Sequence, residues 1–308
     1  MLSSLSSISL LTTLLLIILL SCLATAFTYH HTSIVTSQQQ SSHKRDSSIA
    51  MMSTSSKLNN AFSLQGKTAL ITGSSGGIGK AIAKTFAEAG ADVIVHYNKR
   101  KEGAISTYKE INDNKVSPGK CLGIIHSDFR DPKQINEMFE YVTNNILKDN
   151  RLDILVNNAG IVSKLAVEDD DNLSTYHETM AVNLHAPVQL MKLSHAHMKS
   201  TSSSKRKGGV IINNTSIHGS RSVEYMSAYA ATKAALDSLT QSLACEYAPD
   251  NVRVNAIAPG VVPVERTEKA FNDQSVVDMW LPHLPGKCEL VLHRSTYLTF
   301  ICLIGLPL

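Results

Sequence analysis

Residues 67–79 read KTALITGSSGGIG. The first six form a β-branched, apolar run, and the stretch from Ile78 to Ala89 has helical periodicity. Between them lies a Gly/Ser turn that ends where the helix begins. Glycines permit so sharp a turn and let backbone N–H groups approach an anion, and a helix N-terminus attracts negative charge. The spacing Thr72-Gly73-x-x-x-Gly77-Ile78-Gly79 therefore predicts a strand–turn–helix that cradles phosphate. A tight strand-to-helix connection with no ligand is the alternative.

The rest of the chain extends this alternation. Strands are predicted at 67–72, 92–97, 121–126, 152–157, 209–215 and 252–257. Helices are predicted at 78–89, 101–113, 132–147, 173–199 and 227–247. The pattern implies an α/β fold with a doubly wound parallel sheet and right-handed crossovers. Strands this apolar suit a sheet covered on both faces, with a site beyond their carboxyl ends.

The 308 residues carry a net charge of +3 and are 43% apolar and 18% charged. The low charge is local, because residues 1–61 hold only Lys44, Arg45, Asp46 and Lys57. The positive excess lies there and in 287–308, so the charges of 62–286 balance. A balanced body lacks the basic face of a nucleic-acid binder, and no nucleic-acid partner is expected. Lys205-Arg206-Lys207 reads as a solvated loop. The composition also excludes wholesale disorder and a multi-span membrane protein.

Tyr229-Ala230-Ala231-Thr232-Lys233 falls in the 227–247 helix, and its i,i+4 spacing puts phenol and ammonium on one face. A phenol titrates near about 10 and is a poor acid at neutral pH; a neighbouring ammonium favours its ionised form. Such a pair can donate a proton to a carbonyl or accept one from an alcohol. Ser216 stands thirteen residues earlier, at the end of the fifth strand. A capping serine and an incidental Tyr–Lys pair on a helix face are the bland alternatives.

With TGxxxGIG, Asn157-Asn158-Ala159-Gly160 after the fourth strand, Pro259-Gly260 after the sixth and Ser216, Tyr229 and Lys233 in order, the chain resembles the short-chain dehydrogenase/reductase family over roughly 64–285. The resemblance implies a single Rossmann-like domain at 62–286 that transfers hydride between a pyridine nucleotide and a carbonyl or alcohol. It implies a catalytic set of Asn183, Ser216, Tyr229 and Lys233, in which Ser216 holds the substrate oxygen. Asn183 would kink its helix and hold a water in a relay to Lys233. It places the cofactor on Gly73, Ser75, Gly77, Ile78, Gly79, Asn158, Ala159, Gly160, Tyr229, Lys233, Pro259 and Gly260. Asp128 matches a residue that contacts adenine; a cap for the helix near Pro132 is its other reading.

Cofactor choice follows from charge. A carboxylate at the end of the second strand would bond a ribose 2′-OH and repel a 2′-phosphate. Here the strand ends Tyr97-Asn98-Lys99-Arg100. With Asn98 and Lys99 at the ribose, NADP(H) is expected over NAD(H), which remains usable. No metal is expected: His195-x-His197 points in two directions on a helix, and His218, near Ser216, reads either as a substrate contact or as a pocket-rim residue. Asp169-Asp170-Asp171 reads as a loop and helix start. Cys121, Cys245, Cys288 and Cys302 are widely spaced and read as buried free thiols.

Two features depart from the family pattern. Val264 stands where many members carry a threonine that bonds the carboxamide, and Thr267 is offset. The last helix and strand are missing or replaced by an atypical apolar tail, 287–308, as a shifted reading frame would produce. Such a tail would leave a sheet edge open.

At the other end, the apolar run at 10–20 is too short for a bilayer span of about 20 residues and suits a signal peptide, with Ala24-Thr25-Ala26 as cleavage site. Residues 27–61 resemble a transit peptide, so residues 1–26 and 27–61 together suggest a bipartite plastid leader. Secretion to the ER lumen is the alternative. Resemblance to the family's acyl-carrier reductases, with the plastid leader, implies reduction of 3-oxoacyl groups on acyl carrier protein, in fatty acid biosynthesis. A sugar or polyol dehydrogenase is the rival, and a truncated, cofactor-binding-only product the alternative of another class. Helices 173–199 and 227–247 resemble the family's subunit contacts, which implies a homodimer or homotetramer.

Overall fold

The computed structural model describes residues 63–147, 151–199, 208–221 and 223–260, together with 262, 264, 265 and 267. All lie in the compact unit Lys57–Leu308. The leader, Lys205–Lys207, Cys288, Cys302 and the 287–308 tail lie outside the described residues.

The six predicted strands form, each trimmed by at most two residues at an end. They are β1 (Thr68–Ile71), β2 (Asp92–Tyr97), β3 (Cys121–His126), β4 (Ile154–Asn157), β5 (Gly209–Asn214) and β6 (Val252–Ile257). They pair in parallel in the order β3-β2-β1-β4-β5-β6. Thr68 faces Asp92 on one side, and Ala69 faces Ile154 on the other. Strand order reverses between β1 and β4, which opens a crevice at their carboxyl ends.

Side-chain alternation divides the core between the two faces. Ala69 and Ile71 join Val93, Val95 and Val156 in one cluster, under Ile82 and Phe86 of α1 (Gly77–Glu88) and Ile111 of α2 (Lys101–Asn112). Leu70 faces the opposite way and joins Ile94, Leu155 and Ile211. That cluster is covered by Phe139 of α3 (Pro132–Tyr141), Met191 of α5 (Ala186–Met198) and Leu236 of α6 (Ser227–Tyr247). Each large side chain so buried contributes roughly 1.5–3 kcal/mol.

Two predicted helices are interrupted, the second of them where the resemblance implies a kink at Asn183. The segment predicted at 132–147 is α-helical only to Tyr141 and ends in a π turn, Val142–Ile146. The segment predicted at 173–199 is α4 (Ser174–Met180), a π turn at Ala181–His185, and then α5. The second break has a cause in the chain. Pro187 has no N–H to return to the Asn183 carbonyl, so the α-helical ladder is interrupted at Asn183. Asp170 caps α4, accepting from the Thr175 and Tyr176 N–H groups at 2.9 and 2.8 Å.

The cap of α3 is Asp131, whose carboxylate accepts from the Lys133 N–H at 2.9 Å. Asp128 therefore does not cap that helix. One thiol also departs from expectation: Cys121 is buried, but Cys245 is exposed. Burial raises the Cys121 thiol to about 11, so it stays protonated and unreactive at neutral pH.

Candidate functional site

The site residues anticipated from sequence gather at the carboxyl ends of the strands. The turn after β1 carries Gly73 at φ 64° and Gly77 at φ 54°, a region that glycine alone enters freely. Gly73 also needs its bare Cα for space, because a Cβ there would lie 2.8 Å from the Ala159 Cα. Asn158 locks this contact: its Nδ2 donates to the Thr72 carbonyl at 2.8 Å. Thr72 Oγ1 in turn accepts from the Asn158 and Ala159 N–H groups at 2.9 and 3.0 Å. A Cβ on Gly79 would collide with the Asn158 amide. Ile78 packs into the first core cluster, and the Ser75 carbonyl lies against Gly103 of α2.

These residues fit a dinucleotide. Helix α1 has no side-chain N-cap and no acidic residue in its first turn. Its leading N–H groups are therefore donors that the oxygens of a pyrophosphate can accept from. Asn98 follows β2, and Lys99 and Arg100 after it are exposed. The Arg100 guanidinium stands over the turn, where a Cβ on Gly76 would lie 2.7 Å from its Nη1, and it pairs with Glu265. Asp128 follows β3. The Arg130 guanidinium beside it holds its carboxyl below the usual carboxylate range.

The second group lies beyond β4, β5 and β6. Asn183, fully buried in its π turn, accepts from the Ile161 N–H and donates to the Ile161 carbonyl, both at 2.8 Å. A Cβ on Gly160 would lie 3.2 Å from Asn183 Oδ1 and 3.8 Å from Lys233 Nζ, so both polar groups flank the same bare Cα. Lys233 is buried and donates to the Asn214 carbonyl at 2.7 Å. Its Nζ lies 5.6 Å from the centre of the Tyr229 ring. Ser216 Oγ accepts from the His218 N–H at 3.2 Å, and the His218 ring lies 6.3 Å from the Tyr229 ring. Pro259 accepts from the Ile217 N–H at 3.2 Å, and Gly260 faces Ile217. The structure thus brings Asn183, Ser216, Tyr229 and Lys233 into one neighbourhood.

Val264 lies beside Gly77 and brings only apolar atoms there. Thr267 Oγ1 instead accepts from the Val264 N–H at 2.9 Å and donates to the Val262 carbonyl at 2.6 Å. It braces its own turn.

His195 and His197 point in different directions, as their spacing on a helix implies. His195 stacks on Tyr247 and reaches Asp250 at 2.9 Å, whereas His197 packs edge-on against Phe139. Among the described residues no cluster of His, Cys, Asp and Glu has metal-binding geometry, and no helix is long and apolar enough to cross a membrane.

Asn214 escaped notice in the sequence. Its carbonyl holds Lys233, and its amide donates to Asn158 Oδ1 at 2.9 Å, joining the Lys233 side of the site to the glycine turn. The paired asparagines of Asn213-Asn214 at the end of an apolar strand were the available signal. His96, buried in β2, was also missed.

Comparison with known proteins supports the same picture. The family model described as short chain dehydrogenase matches residues 67–275. The 2-dehydro-3-deoxy-D-gluconate 5-dehydrogenase of Bacillus subtilis is 34% identical over 229 residues, 74% of this chain and 84% of that protein. A Pseudomonas aeruginosa RhlG/NADP active-site complex superposes with a TM-score of 0.70 at 29% identity, over 80% of this chain and 92% of that one. A gluconate 5-dehydrogenase of Burkholderia cenocepacia in complex with NADP and tartrate gives a TM-score of 0.69 at 25% identity, over 80% and 91%.

Proposed function

The chain belongs to the short-chain dehydrogenase/reductase family of NAD(P)-dependent oxidoreductases, and from that premise we propose that it interconverts a ketone and a secondary alcohol with NADP(H), Tyr229 moving the proton. The observation that carries this reading is the convergence of Asn183 and buried Lys233 on Gly160, with the Tyr229 ring 5.6 Å from the Lys233 Nζ. The bound nicotinamide supplies or takes the hydride. Ser216 positions the substrate oxygen, and the Tyr229 hydroxyl gives it a proton in reduction. Lys233 stabilises the phenolate left behind, and the Asn214 carbonyl fixes the ammonium. Asn183 holds the relay side of Lys233.

The preference for NADP(H) rests on Lys99 and Arg100 at the end of β2, and the NADP-bound relatives support it. The Lys99→Ala/Arg100→Ala double variant is expected to lower kcat/KM for NADPH by roughly 10- to 100-fold, the worth of a lost charge-assisted contact. The value for NADH should stay within about threefold of wild type, steady-state kinetics with both cofactors being the check. Equal losses would reject the assignment.

For the substrate we propose a 3-oxoacyl thioester of the acyl-carrier type. Support comes from the apolar side chains exposed on the loops after β4 and β5, Val162, Leu165, Val167, Leu173, Val223 and Tyr225. They suit an acyl chain better than a polyol. Exposed Arg221 is the described candidate for contact with an acidic carrier; Arg266 lies outside the described residues. A keto-sugar acid is the second reading, favoured by the two gluconate-type dehydrogenases among the relatives. NADPH oxidation is expected with an acetoacetyl thioester and not with a keto-gluconate; the reverse outcome selects the second reading. Assembly through the outer faces of α4, α5 and α6 as a homodimer or homotetramer, and plastid targeting by residues 1–61, are further parts of the proposal.

A further inference from the structure

His96 lies near the end of β2, fully enclosed between the glycine turn and the end of β3. Its two ring nitrogens reach opposite walls. Nδ1 lies 3.0 Å from the Gly73 amide nitrogen, and Nε2 lies 3.1 Å from the Ser127 carbonyl oxygen. A backbone N–H only donates and a carbonyl only accepts. The ring must therefore be neutral, with Nδ1 bare and Nε2 carrying the hydrogen. Phe129 stacks on it at 4.4 Å with 12° between the planes, fixing its rotation. The backbone of the same residue engages the turn as well. The Ser74 N–H donates to the His96 carbonyl at 3.0 Å, and the His96 N–H donates to Ser74 Oγ at 3.1 Å. From the other side, Thr107 Oγ1 of α2 donates to the Ser74 carbonyl at 3.0 Å.

We propose that His96 is a positioning residue for the dinucleotide: its neutral ring is a strut that sets the distance between the phosphate turn and the Ser127–Asp128 edge. The proposal rests on the reading that a pyridine nucleotide binds over that turn. By accepting the Gly73 N–H inside the protein, the ring turns the first peptide of the loop away from the crevice. The N–H groups at the start of α1 are left to meet the phosphates. By donating to Ser127 it anchors the segment that carries Asp128. A side chain that fills the same space without these bonds leaves a buried N–H and a buried C=O unpaired, and the loop must shift to recover partners.

The test compares three variants by NADPH binding, followed by fluorescence titration, and by steady-state kinetics. His96→Leu removes both bonds and is expected to raise the NADPH dissociation constant by roughly tenfold or more, with kcat at saturating NADPH within twofold of wild type. His96→Asn places an acceptor near the Nδ1 position and should recover most of the affinity. His96→Gln reaches only towards Ser127 and should not. If His96→Leu fails to fold, tighter binding by the Asn variant than by the Gln variant carries the proposal. Unchanged affinity in a folded His96→Leu overturns it, as do equal losses in kcat and affinity across the variants. Wild-type protein that binds no pyridine nucleotide removes the underlying reading and the proposal together.

Discussion

Tyr229→Phe is expected to lower kcat for NADPH-dependent reduction by at least about a hundredfold, the usual worth of a positioned general acid. NADPH affinity should stay within about twofold of wild type. The split follows from the geometry. The phenol is half-buried beside His218 and above Lys233. Phe keeps the ring and its packing and loses only the hydroxyl, so a merely structural role would leave kcat intact. Lys233→Met makes the complementary change. It removes the ammonium and its bond to the Asn214 carbonyl, so its loss should include cofactor affinity as well as kcat. Direct NADPH titration beside steady-state kinetics checks both variants. More than a tenth of wild-type kcat in Tyr229→Phe would move proton transfer to another group, with His218, whose ring lies 6.3 Å from that of Tyr229, a candidate.

The fold was legible because each of its signals is local. An apolar run ending in Gly73 and opening a helix at Gly77 is one contiguous strand–turn–helix, and the same alternation repeats to β6. Tyr229 and Lys233 were legible for a related reason: i,i+4 geometry is set by the helix alone. The break at Asn183 came from the family resemblance and not from the local pattern. Within 173–199 only Pro187, whose missing N–H falls opposite the Asn183 carbonyl, marks the π turn. Asn214 and His96 were not legible, because their roles come from partners far away in sequence. Asn214 joins Lys233 to Asn158, and His96 joins Gly73 to Ser127. A buried polar residue in a strand announces a constraint without naming its partners. Asp128 and Asp131 show the converse. Both precede Pro132, and only the backbone geometry tells which one caps α3.

Acid is expected to destabilise the protein in a window set by His96. Burial drives its pKa from 6.5 down to about 4, and the charge of His126 pushes in the same direction. The Ser127 carbonyl opposes both by accepting from the ring. Because the folded protein holds the ring neutral, the unfolded chain binds more protons between these values, and stability rises with pH there. The contribution is complete above 6.5 and is lost as the pH falls towards about 4. At about 1.4 kcal/mol per pH unit the loss comes to roughly 3 kcal/mol, a large fraction of a domain's usual margin of about 5–15 kcal/mol. The lowered carboxylates lie in a different window. Glu110, held at about 2 by Lys80, and Asp128, held down by Arg130, lose their partners' benefit only in stronger acid. Urea unfolding at intervals from pH 7.5 to 4 separates the two windows. The wild-type midpoint should fall steeply across the upper window. His96→Asn, which cannot titrate, should be less stable at pH 7.5 and nearly flat over the same range. Matching slopes in the two proteins would show that the acid sensitivity arises at another group.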